Sequence, residues 1–341
     1  MTTIKDEHQL EDILSTPSSA DVHSMESLEG DILVLGAAGK MGPSLCRLAR
    51  RALDRAGKPN RVIAVARFTN RDLQLELEHD EIETIACDLL EPGALGKLPD
   101  SGNVVFMAAK KFGTTGAEHT TWAMNTYLPA LVADRYRDAR IVSFSTGNVY
   151  PLCPIMQGGA TERTPVSPIG EYAQSALGRE RMFEYGSEKW GTPGIILRLN
   201  YAVELRYGVL VDIGLAVFEH RAVDLRMGLV NVIWQRDANS VCLRAFEFCE
   251  SPPRVFNITG PETLSVRYIA EEFGRRFKID PIFSGEESTT ALLNNAAEAH
   301  RTFGYPTVSP LQMIDWISDW IKREQPLLRK PTHFAARDGK F

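Results

Sequence analysis

The sequence predicts an α/β protein: a doubly wound parallel sheet, followed by a smaller C-terminal α/β lobe. Short apolar segments alternate with longer amphipathic ones from Asp31 to about Asn200, and no internal repeat is present. These segments are apolar throughout instead of alternating between apolar and polar residues. Strands of a parallel sheet have this composition because helices cover both faces of the sheet.

The strands and helices of this first part follow one another in a regular order. Its predicted strands are DILVLG, RVIAVARF, IETIACDL, NVVFMAA, RIVSFS and GIILRLN. The first helix follows DILVLG; Pro43 fits its first turn and Gly57 marks its end. Two further helices are predicted, one from Trp122 to Tyr136 and one from Ile169 to about Glu188.

The alternation becomes less regular beyond Asn200, which indicates a second unit. RVFNITG is predicted to be a strand, and the predicted helices are LSVRYIAEEFGRRF, TALLNNAAEAHRTFG and SPLQMIDWISDWIKRE. The predicted organisation is an N-terminal extension (1–29), the sheet domain (30–200), a lobe formed mainly by 201–325, and a tail (326–341). We expect the extension to be an amphipathic piece followed by a Ser/Pro-rich link, and the tail to be loose or a dimer arm.

Composition narrows the class of protein. The 341 residues are 44% hydrophobic and 24% charged, with a formal net charge of −6. These values exclude a mainly disordered chain and argue against a basic surface for nucleic acid. No apolar run is long enough for a membrane helix, and the scattered histidines and cysteines do not have metal-site spacing. The odd number of dispersed cysteines predicts reduced thiols in a cytoplasmic protein.

A glycine-rich turn follows the first strand in the segment LVLGAAGKMG. Gly36, Gly39 and Gly42 have the spacing G-x-x-G-x-x-G, between a strand and a helix. Glycines let the backbone turn sharply and let its N–H groups approach a pyrophosphate, whose charge the helix N-terminus favours. The position of this turn predicts a Rossmann-type domain that binds a dinucleotide.

The residues after the second and third strands bear on the choice of dinucleotide. Where NAD-binding domains place a carboxylate for the adenosine ribose, this chain has Ala66 followed by Arg67. An arginine pairs with a 2′-phosphate, so the sequence favours NADP over NAD. Asp88 is placed either to meet the adenine amino group or to cap a turn or helix, and both alternatives stay open.

The ordered segments resemble the extended short-chain dehydrogenase/reductases, the superfamily that includes nucleotide-sugar epimerases and dehydratases. The resemblance covers about Asp31 to about Lys322 and rests on GAAGKMG, CDLLEP, VVFMAAKKFG, MNTYLPAL, VSFSTGNVYP, EYAQSALGRE, ILRLN and VFNITGPETLSV. It implies a homodimer built from the Trp122–Tyr136 and Tyr172–Glu188 helices. Beyond Gly36, Gly39, Gly42, Arg67 and Asp88, the cofactor contacts that it implies are Lys40, Met41, Leu89, Ala108, Lys111 and Asn125.

The same resemblance assigns two catalytic positions. Thr146, four residues before Tyr150, corresponds to the residue that holds the substrate oxygen, and Tyr172 corresponds to the acid/base of a Tyr-x-x-x-Lys motif. A phenol with a pKa near ~10 is a poor base at neutral pH. In the family, a lysine one helical turn later lowers that pKa and binds the nicotinamide ribose. In this chain the lysine position is Ala176.

Three interpretations of Ala176 remain open. Another cation acts instead, with Lys110 and Lys111 as candidates; or the positive charge of the nicotinamide suffices; or the chemistry is lost and the fold binds cofactor as a sensor. The presence of both Thr146 and Tyr172 favours an enzyme.

The substrate is predicted from family positions that this chain does not fill. Gly147 and Asn148 replace the Asp–Glu pair of the dehydratases, and Val230 stands where epimerases carry an arginine for the diphosphate. We therefore expect hydride transfer, or epimerisation, at a secondary alcohol or ketone of a sugar, polyol or sugar-acid-like substrate. The alternatives are a non-catalytic NADP-binding regulatory protein and a nucleotide-sugar epimerase. The candidate substrate contacts are Asn200, Tyr201, Glu204, Arg206 and Arg236.

Overall fold

A seven-stranded parallel sheet forms the centre of the computed structural model, which describes residues 3–111, 113 and 116–339. The strands are β1 (Ile32–Leu35), β2 (Val62–Ala66), β3 (Glu83–Ala86), β4 (Asn103–Phe106), β5 (Arg140–Thr146), β6 (Gly194–Leu199) and β7 (Arg254–Ile258). Their spatial order is β3-β2-β1-β4-β5-β6-β7, and every neighbouring pair is parallel. The predicted doubly wound sheet is confirmed.

The strand order reverses at β1, whose two neighbours are β2 and β4. In sheets of this kind, ligands bind at the carboxyl ends of the strands beside such a reversal. The glycine-rich turn follows β1, and the segment beginning at Met107 follows β4, so the reversal places these two loops side by side.

Helices cover both faces of the sheet. In the first 200 residues they are α1 (Glu7–Ser15), α2 (Ser19–Glu26), α3 (Gly42–Arg55), α4 (Arg71–His79), α5 (Glu118–Trp122), α6 (Leu128–Arg135) and α7 (Gly170–Trp190). The predicted helix from Trp122 to Tyr136 is divided, because a π-helical turn, Ala123–Tyr127, joins α5 to α6. Helix α4 was not predicted from the sequence; it has only two buried residues, Gln74 and Leu77.

The second lobe has its own apolar core. Its helices are α8 (Val209–Phe218), α10 (Val266–Phe277) and α12 (Pro310–Lys322), whereas α9 (Gln235–Arg244) packs on α3 and α11 (Ala297–Phe303) contacts β7. The chain therefore returns to the sheet domain after residue 200. Short strands complete the lobe and its junction: Cys153–Pro154, Ala202–Val203, Ala222–Asp224, Leu229–Val230, Ile233–Trp234, Leu264–Ser265, Ile282–Ser284 and Thr290–Ala291.

The helix predicted over TALLNNAAEAHRTFG is mostly wrong. Thr290 and Ala291 form a strand, and α11 begins only at Ala297. The next two residues, Leu292 and Leu293, are both buried against the second lobe, so this segment packs apolar side chains without helical spacing.

The N-terminal extension is folded, and the expected Ser/Pro-rich link is a helix. Ser18 and Asp21 form a capping box at the start of α2, so serines that suggested a link provide the helix cap. Leu10 and Leu14 of α1 lie in the core of the second lobe, whereas Met25 lies in the core of the sheet domain. Residues 3–29 therefore connect the two cores.

The tail is not loose over residues 326–339. The backbone N–H of Leu328 donates to the carbonyl of Arg206, and Thr332 donates to Asp212 from its backbone N–H (2.7 Å) and its hydroxyl (2.6 Å). Gly339 lies directly against Ile169 and Gly170, at the start of α7. The tail thus crosses from the second lobe to the helix that carries Tyr172. A role as a dimer arm stays a prediction.

Candidate active site

The turn after β1 requires glycine at its first position. Gly36 has φ +92°, and a Cβ there would lie 2.6 Å from the backbone nitrogen of Ala108, which follows β4. The close approach of these two backbones leaves no room for a side chain. Ala108, a predicted cofactor contact, therefore forms the wall against which the glycine turn packs.

The end of the same turn opens α3. A Cβ on Gly42 would lie 2.1 Å from the carbonyl oxygen of Ala37, so glycine is required there too, and the Gly39 N–H donates to the carbonyl of Gly36 at 3.1 Å. The N-cap residue, Met41, provides no side-chain cap. The first-turn N–H groups of α3 are thus free of a side-chain cap, as an anion site at a helix N-terminus requires.

Lys40 brings an amino group to this turn. Its Nζ donates to the carbonyl of Ala202 at 2.8 Å and lies 4.4 Å from the ring centre of Tyr207. Burial lowers the pKa of Lys40 to about 7, and the charge of Glu204 opposes this change. Together with the glycine backbone, this lysine fits the pyrophosphate of a dinucleotide.

Thr146 and Tyr172 form a hydrogen-bonded pair at the same edge of the sheet. Thr146 is the last residue of β5, Tyr172 lies in the first turn of α7, and a hydrogen bond joins their side chains. Burial raises the pKa of Tyr172, while the positive charge of Arg179 and the bond to Thr146 lower it. The two predicted catalytic residues are therefore brought together.

Of the two candidate lysines, Lys111 is the one beside Tyr172. Its Nζ lies 5.8 Å from the ring centre of Tyr172, and burial lowers the pKa of Lys111 to about 8. Lys110 instead directs its Nζ to the hydroxyl of Thr120, at 2.8 Å. Ala176, at the position of the family's lysine, has no charge. It is buried in an apolar cluster with Val149, Tyr150, Cys153 and Ala160.

The other predicted cofactor contacts follow strands β2 and β3 or, in the case of Asn125, bond to the segment after β4. Arg67 is exposed after β2, and its contact with a cofactor stays a prediction. Asp88 accepts a hydrogen bond from the N–H of Leu90 (3.1 Å), which is a turn role, and Leu89 is buried in the apolar layer on one face of the sheet. Asn125 is buried and bonds both the N–H and the carbonyl of Lys110.

Three of the predicted substrate contacts, Asn200, Tyr201 and Glu204, lie within two residues of Ala202, whose carbonyl accepts the hydrogen bond of Lys40. Asn200 is buried, and its Nδ2 has no hydrogen-bond partner among the described residues. Tyr201 has φ +47°, and burial raises its pKa. Glu204 contributes to the charge around Lys40, and its Oε1 has no partner in the described part of the chain.

The two predicted arginine contacts are occupied by the N-terminal segment. Arg206 pairs with Glu7 (3.2 Å), Glu11 (2.6 Å) and Glu204 (3.1 Å). Arg236 pairs with the buried Asp21 (2.9 Å) and bonds the carbonyl of Thr16. The structure therefore places both guanidinium groups against α1 and α2, and not as free cations facing a substrate.

Sequence reasoning missed three residues of this region: Arg179, Tyr207 and Asp212. Burial raises the pKa of Tyr207, which lies close enough to Tyr172 and Asp212 for their charges to act on it. Asp212 had a signal in the sequence, since it is the one charged residue of the apolar helix α8. Arg179 had one too, because it follows Tyr172 by seven residues and so lies on the same helix face.

These features define an α/β protein of the Rossmann class, in which the predicted catalytic residues Thr146 and Tyr172 lie together at the strand ends. The model of the NAD dependent epimerase/dehydratase family matches residues 32–203. The chain belongs to this family, which confirms the resemblance stated from the ordered motifs. No curated protein matches the sequence.

Solved structures of epimerases and dehydratases have the same fold. A mutant UDP-glucuronic acid 4-epimerase from Bacillus cereus, in complex with UDP-4-deoxy-4-fluoro-glucuronic acid and NAD, has a TM-score of 0.73 at 18% identity, covering 86% of this chain and 99% of that one. UDP-glucose 4-epimerase from Thermotoga maritima, with UDP-glucose, has a TM-score of 0.70 at 15% identity and covers 86% and 99%. The dTDP-glucose 4,6-dehydratase DesIV from Streptomyces venezuelae, with NAD and TYD bound, has a TM-score of 0.71 at 18% identity and covers 86% and 97%.

The residues that the structure describes contain neither a membrane-spanning helix nor a metal-binding group. No helix among them is both long and apolar enough to cross a membrane. None of their histidine, cysteine, aspartate and glutamate side chains form a group of three that could hold a metal ion.

Proposed function

We propose that this protein is an NAD(P)-dependent oxidoreductase or epimerase that moves hydride at a secondary alcohol or ketone of a carbohydrate-like substrate. The observation that carries the proposal is the hydrogen-bonded pair Thr146–Tyr172, at the sheet edge that also holds the glycine turn. Thr146 orients the substrate oxygen, and Tyr172 exchanges a proton with it.

The cofactor is held by residues around β1 and β4. The glycine turn and the first turn of α3 would bind the pyrophosphate, and Lys40 would donate a hydrogen bond to it. A bound nicotinamide would supply the acceptor, and in the reverse direction the donor, for the hydride of the substrate carbon. Lys111 stands beside Tyr172 and favours the phenolate electrostatically.

NADP is the preferred form in this proposal. Its support is the exposed Arg67 after β2, together with the absence of a carboxylate at Ala66. Two of the three similar structures described above contain NAD. A test of this preference therefore compares NADP with NAD.

The substrate class is a sugar, polyol or sugar acid. Val230, at the family's position for a diphosphate-binding arginine, is fully buried in the core of the second lobe and cannot contact a ligand. Gly147 and Asn148 lack the carboxyl groups of a dehydratase. A nucleotide-sugar epimerase remains the alternative that the similar folds support.

A non-catalytic NADP-binding regulatory protein is the second candidate function. One observation favours it: Ala176 is enclosed by apolar side chains, so no lysine-like group stands at the family's position. Such a protein would bind the cofactor and turn over no substrate.

The first experiment is a fluorescence titration of the wild type and of Arg67→Ala with NADPH and NADH. We expect tighter binding of NADPH by the wild type and selective loss of NADPH affinity in the variant. Tighter binding of NADH would overturn the preference, and binding of neither form by a folded protein would overturn the proposed function.

A substrate screen with Tyr172→Phe as the control tests the chemistry. We expect turnover of at least one sugar, polyol, sugar acid or nucleotide sugar, reduced by about 10²- to 10⁴-fold in the variant while cofactor affinity is retained. Unchanged turnover would reject the role of Tyr172. Cofactor binding with no turnover of any of these substrates would favour the regulatory alternative.

A further inference from the structure

Arg179 is a buried cation that the proposed reaction has not yet used. It is 3% exposed, on the third turn of α7. Its Nη1 donates to the carbonyl of Phe144 at 2.6 Å, and its Nη2 donates to the Oδ1 of Asn125 at 3.1 Å. Its Nε is buried without a hydrogen-bond partner among the described residues.

The charge of Arg179 lacks an ion pair. The adjacent carboxylate, Glu180, is bound on both oxygens by Arg198, through Nε at 3.0 Å and Nη2 at 2.6 Å. Within the described residues, no carboxylate pairs with Arg179. An arginine stays charged in proteins, and a buried charge without an oppositely charged partner destabilises the folded state. A side chain held at such a cost calls for a role that uses its charge.

The hydrogen bonds of the guanidinium connect it to both elements that carry the predicted catalytic pair. On the strand side, Phe144, whose carbonyl binds Arg179, precedes Thr146 by two residues on β5. On the helix side, Asn125 also donates to the hydroxyl of Ser175 (3.0 Å), which in turn donates to the carbonyl of Tyr172 (2.9 Å). Two helical turns rise about 10 Å, and a helical side chain points back toward the N-terminus, so the long arginine covers most of this distance.

We propose that Arg179 replaces the missing lysine: from two turns further along α7, it holds a positive charge beneath Tyr172 and stabilises the phenolate. Arg179 touches no reacting atom. It acts through Tyr172, whose phenolate its charge stabilises, and is therefore a positioning residue. This inference rests on the proposed function, because it gives Tyr172 the acid/base role.

None of the other groups that face Tyr172 keeps a positive charge at high pH. They are Thr146 from β5, Lys111 from the segment after β4 and Tyr207 from the segment before α8. Tyr207 is neutral at physiological pH, since burial raises its pKa. Burial lowers the pKa of Lys111 to about 8, so this lysine loses its charge as the pH rises above that value. Burial lowers the pKa of Arg179 too, but a guanidinium starts from a far higher pKa than an amine and stays charged there. This charge opposes the effect of burial on the pKa of Tyr172.

A fluorinated tyrosine at position 172 provides the test, because its phenol ionises at lower pH than tyrosine and its fluorine signal reports this one residue. We would titrate it in the wild-type background, in Arg179→Met and in Arg179→Lys. The matched control is Arg135→Met, which also removes an arginine bonded to two backbone carbonyls.

We expect the ionisation midpoint to rise by about one pH unit or more in Arg179→Met, to rise less in Arg179→Lys, and to stay unchanged in Arg135→Met. An unchanged midpoint in folded Arg179→Met would overturn the inference. If that variant does not fold, the NMR signals of the Arg179 side-chain nitrogens are followed instead, during the same pH titration of the protein whose only change is the fluorinated tyrosine. They should shift at the midpoint of residue 172, and constant signals would overturn the inference.

The outcome separates this inference from the proposed function. A shifted midpoint with unchanged turnover in Tyr172→Phe would leave the charge effect standing and reject the catalytic role of Tyr172. An unchanged midpoint with lost turnover in Tyr172→Phe would reject the role of Arg179 alone.

Discussion

At the scale of single residues, Gly36 combines a conformational requirement with a packing requirement. Gly57 offers a matched control, since it has φ +67° but no atom within 4 Å of the position of an added Cβ. We expect Gly57→Ala to lower the free energy of unfolding by about 1–2 kcal/mol, the cost of a left-handed backbone for a side-chain-bearing residue.

Gly36→Ala should cost more and should also abolish dinucleotide binding, because the added methyl group pushes the turn away from Ala108. Urea unfolding and NADPH titration of both variants measure the difference. Equal losses of stability and of affinity in the two variants would contradict the packing role of Gly36.

Lys40 predicts a pH dependence of stability. Burial lowers the pKa of Lys40 from 10.5 to about 7, so between these values the unfolded chain binds a proton that the folded protein lacks. The free energy of unfolding should therefore rise with pH in this window, by at most about 1.4 kcal/mol per unit for one proton, with the destabilisation fully present below pH 7.

Lys40→Met should remove this contribution, so its stability advantage over the wild type should shrink as the pH rises from about 7 to about 9. Lys110→Met, which removes a lysine bonded to the Thr120 hydroxyl, is the control. Denaturant unfolding across this range measures the effect. A constant difference between Lys40→Met and the wild type would show that Lys40 is not desolvated.

At the scale of elements, α1 is expected to stabilise the fold through its buried face. Leu10 is fully buried in the core of the second lobe, whereas the side chain of His8, on the same helix, is 91% exposed. Leu10→Ala should lower the free energy of unfolding by about 2–5 kcal/mol, and His8→Ala should change it by less than about 0.5 kcal/mol. A small loss in Leu10→Ala would show that α1 is detached in solution.

Some elements of this fold could be predicted from the sequence, and others could not. The strands and the glycine turn were predictable because their signals are local: an apolar run, a turn and a helix start. The roles of Arg206 and Arg236 were not, because their partners lie about two hundred positions earlier, in a segment that was predicted to be an N-terminal extension. Arg179 required the helix periodicity to be combined with the bonds of Asn125, which only the packed structure shows.

At the scale of the whole molecule, the predicted homodimer has a candidate surface. Tyr127, in the π-helical turn, is 58% exposed, and Tyr185 of α7 is 54% exposed. Both lie on the helices that the family resemblance assigns to the dimer, and exposed aromatic side chains are typical of interfaces.

We expect the wild type to sediment as a dimer and the double variant Tyr127→Glu/Tyr185→Glu to sediment as a monomer. Tyr268→Glu is the control, since Tyr268 is 42% exposed on α10, outside these helices. A monomeric wild type, or a dimeric double variant, would contradict the assignment.

The position of Glu11 bears on how the molecule moves and melts. One carboxylate oxygen accepts from Arg47 of α3 at 3.1 Å, and the other accepts from Arg206 of the second lobe at 2.6 Å. A single side chain thus fastens the sheet domain to the lobe, beside a helix whose leucines are buried in that lobe. Hinge opening between the two units would have to break both bonds. Calorimetry should therefore record one cooperative melting transition, where freely hinged units would give two.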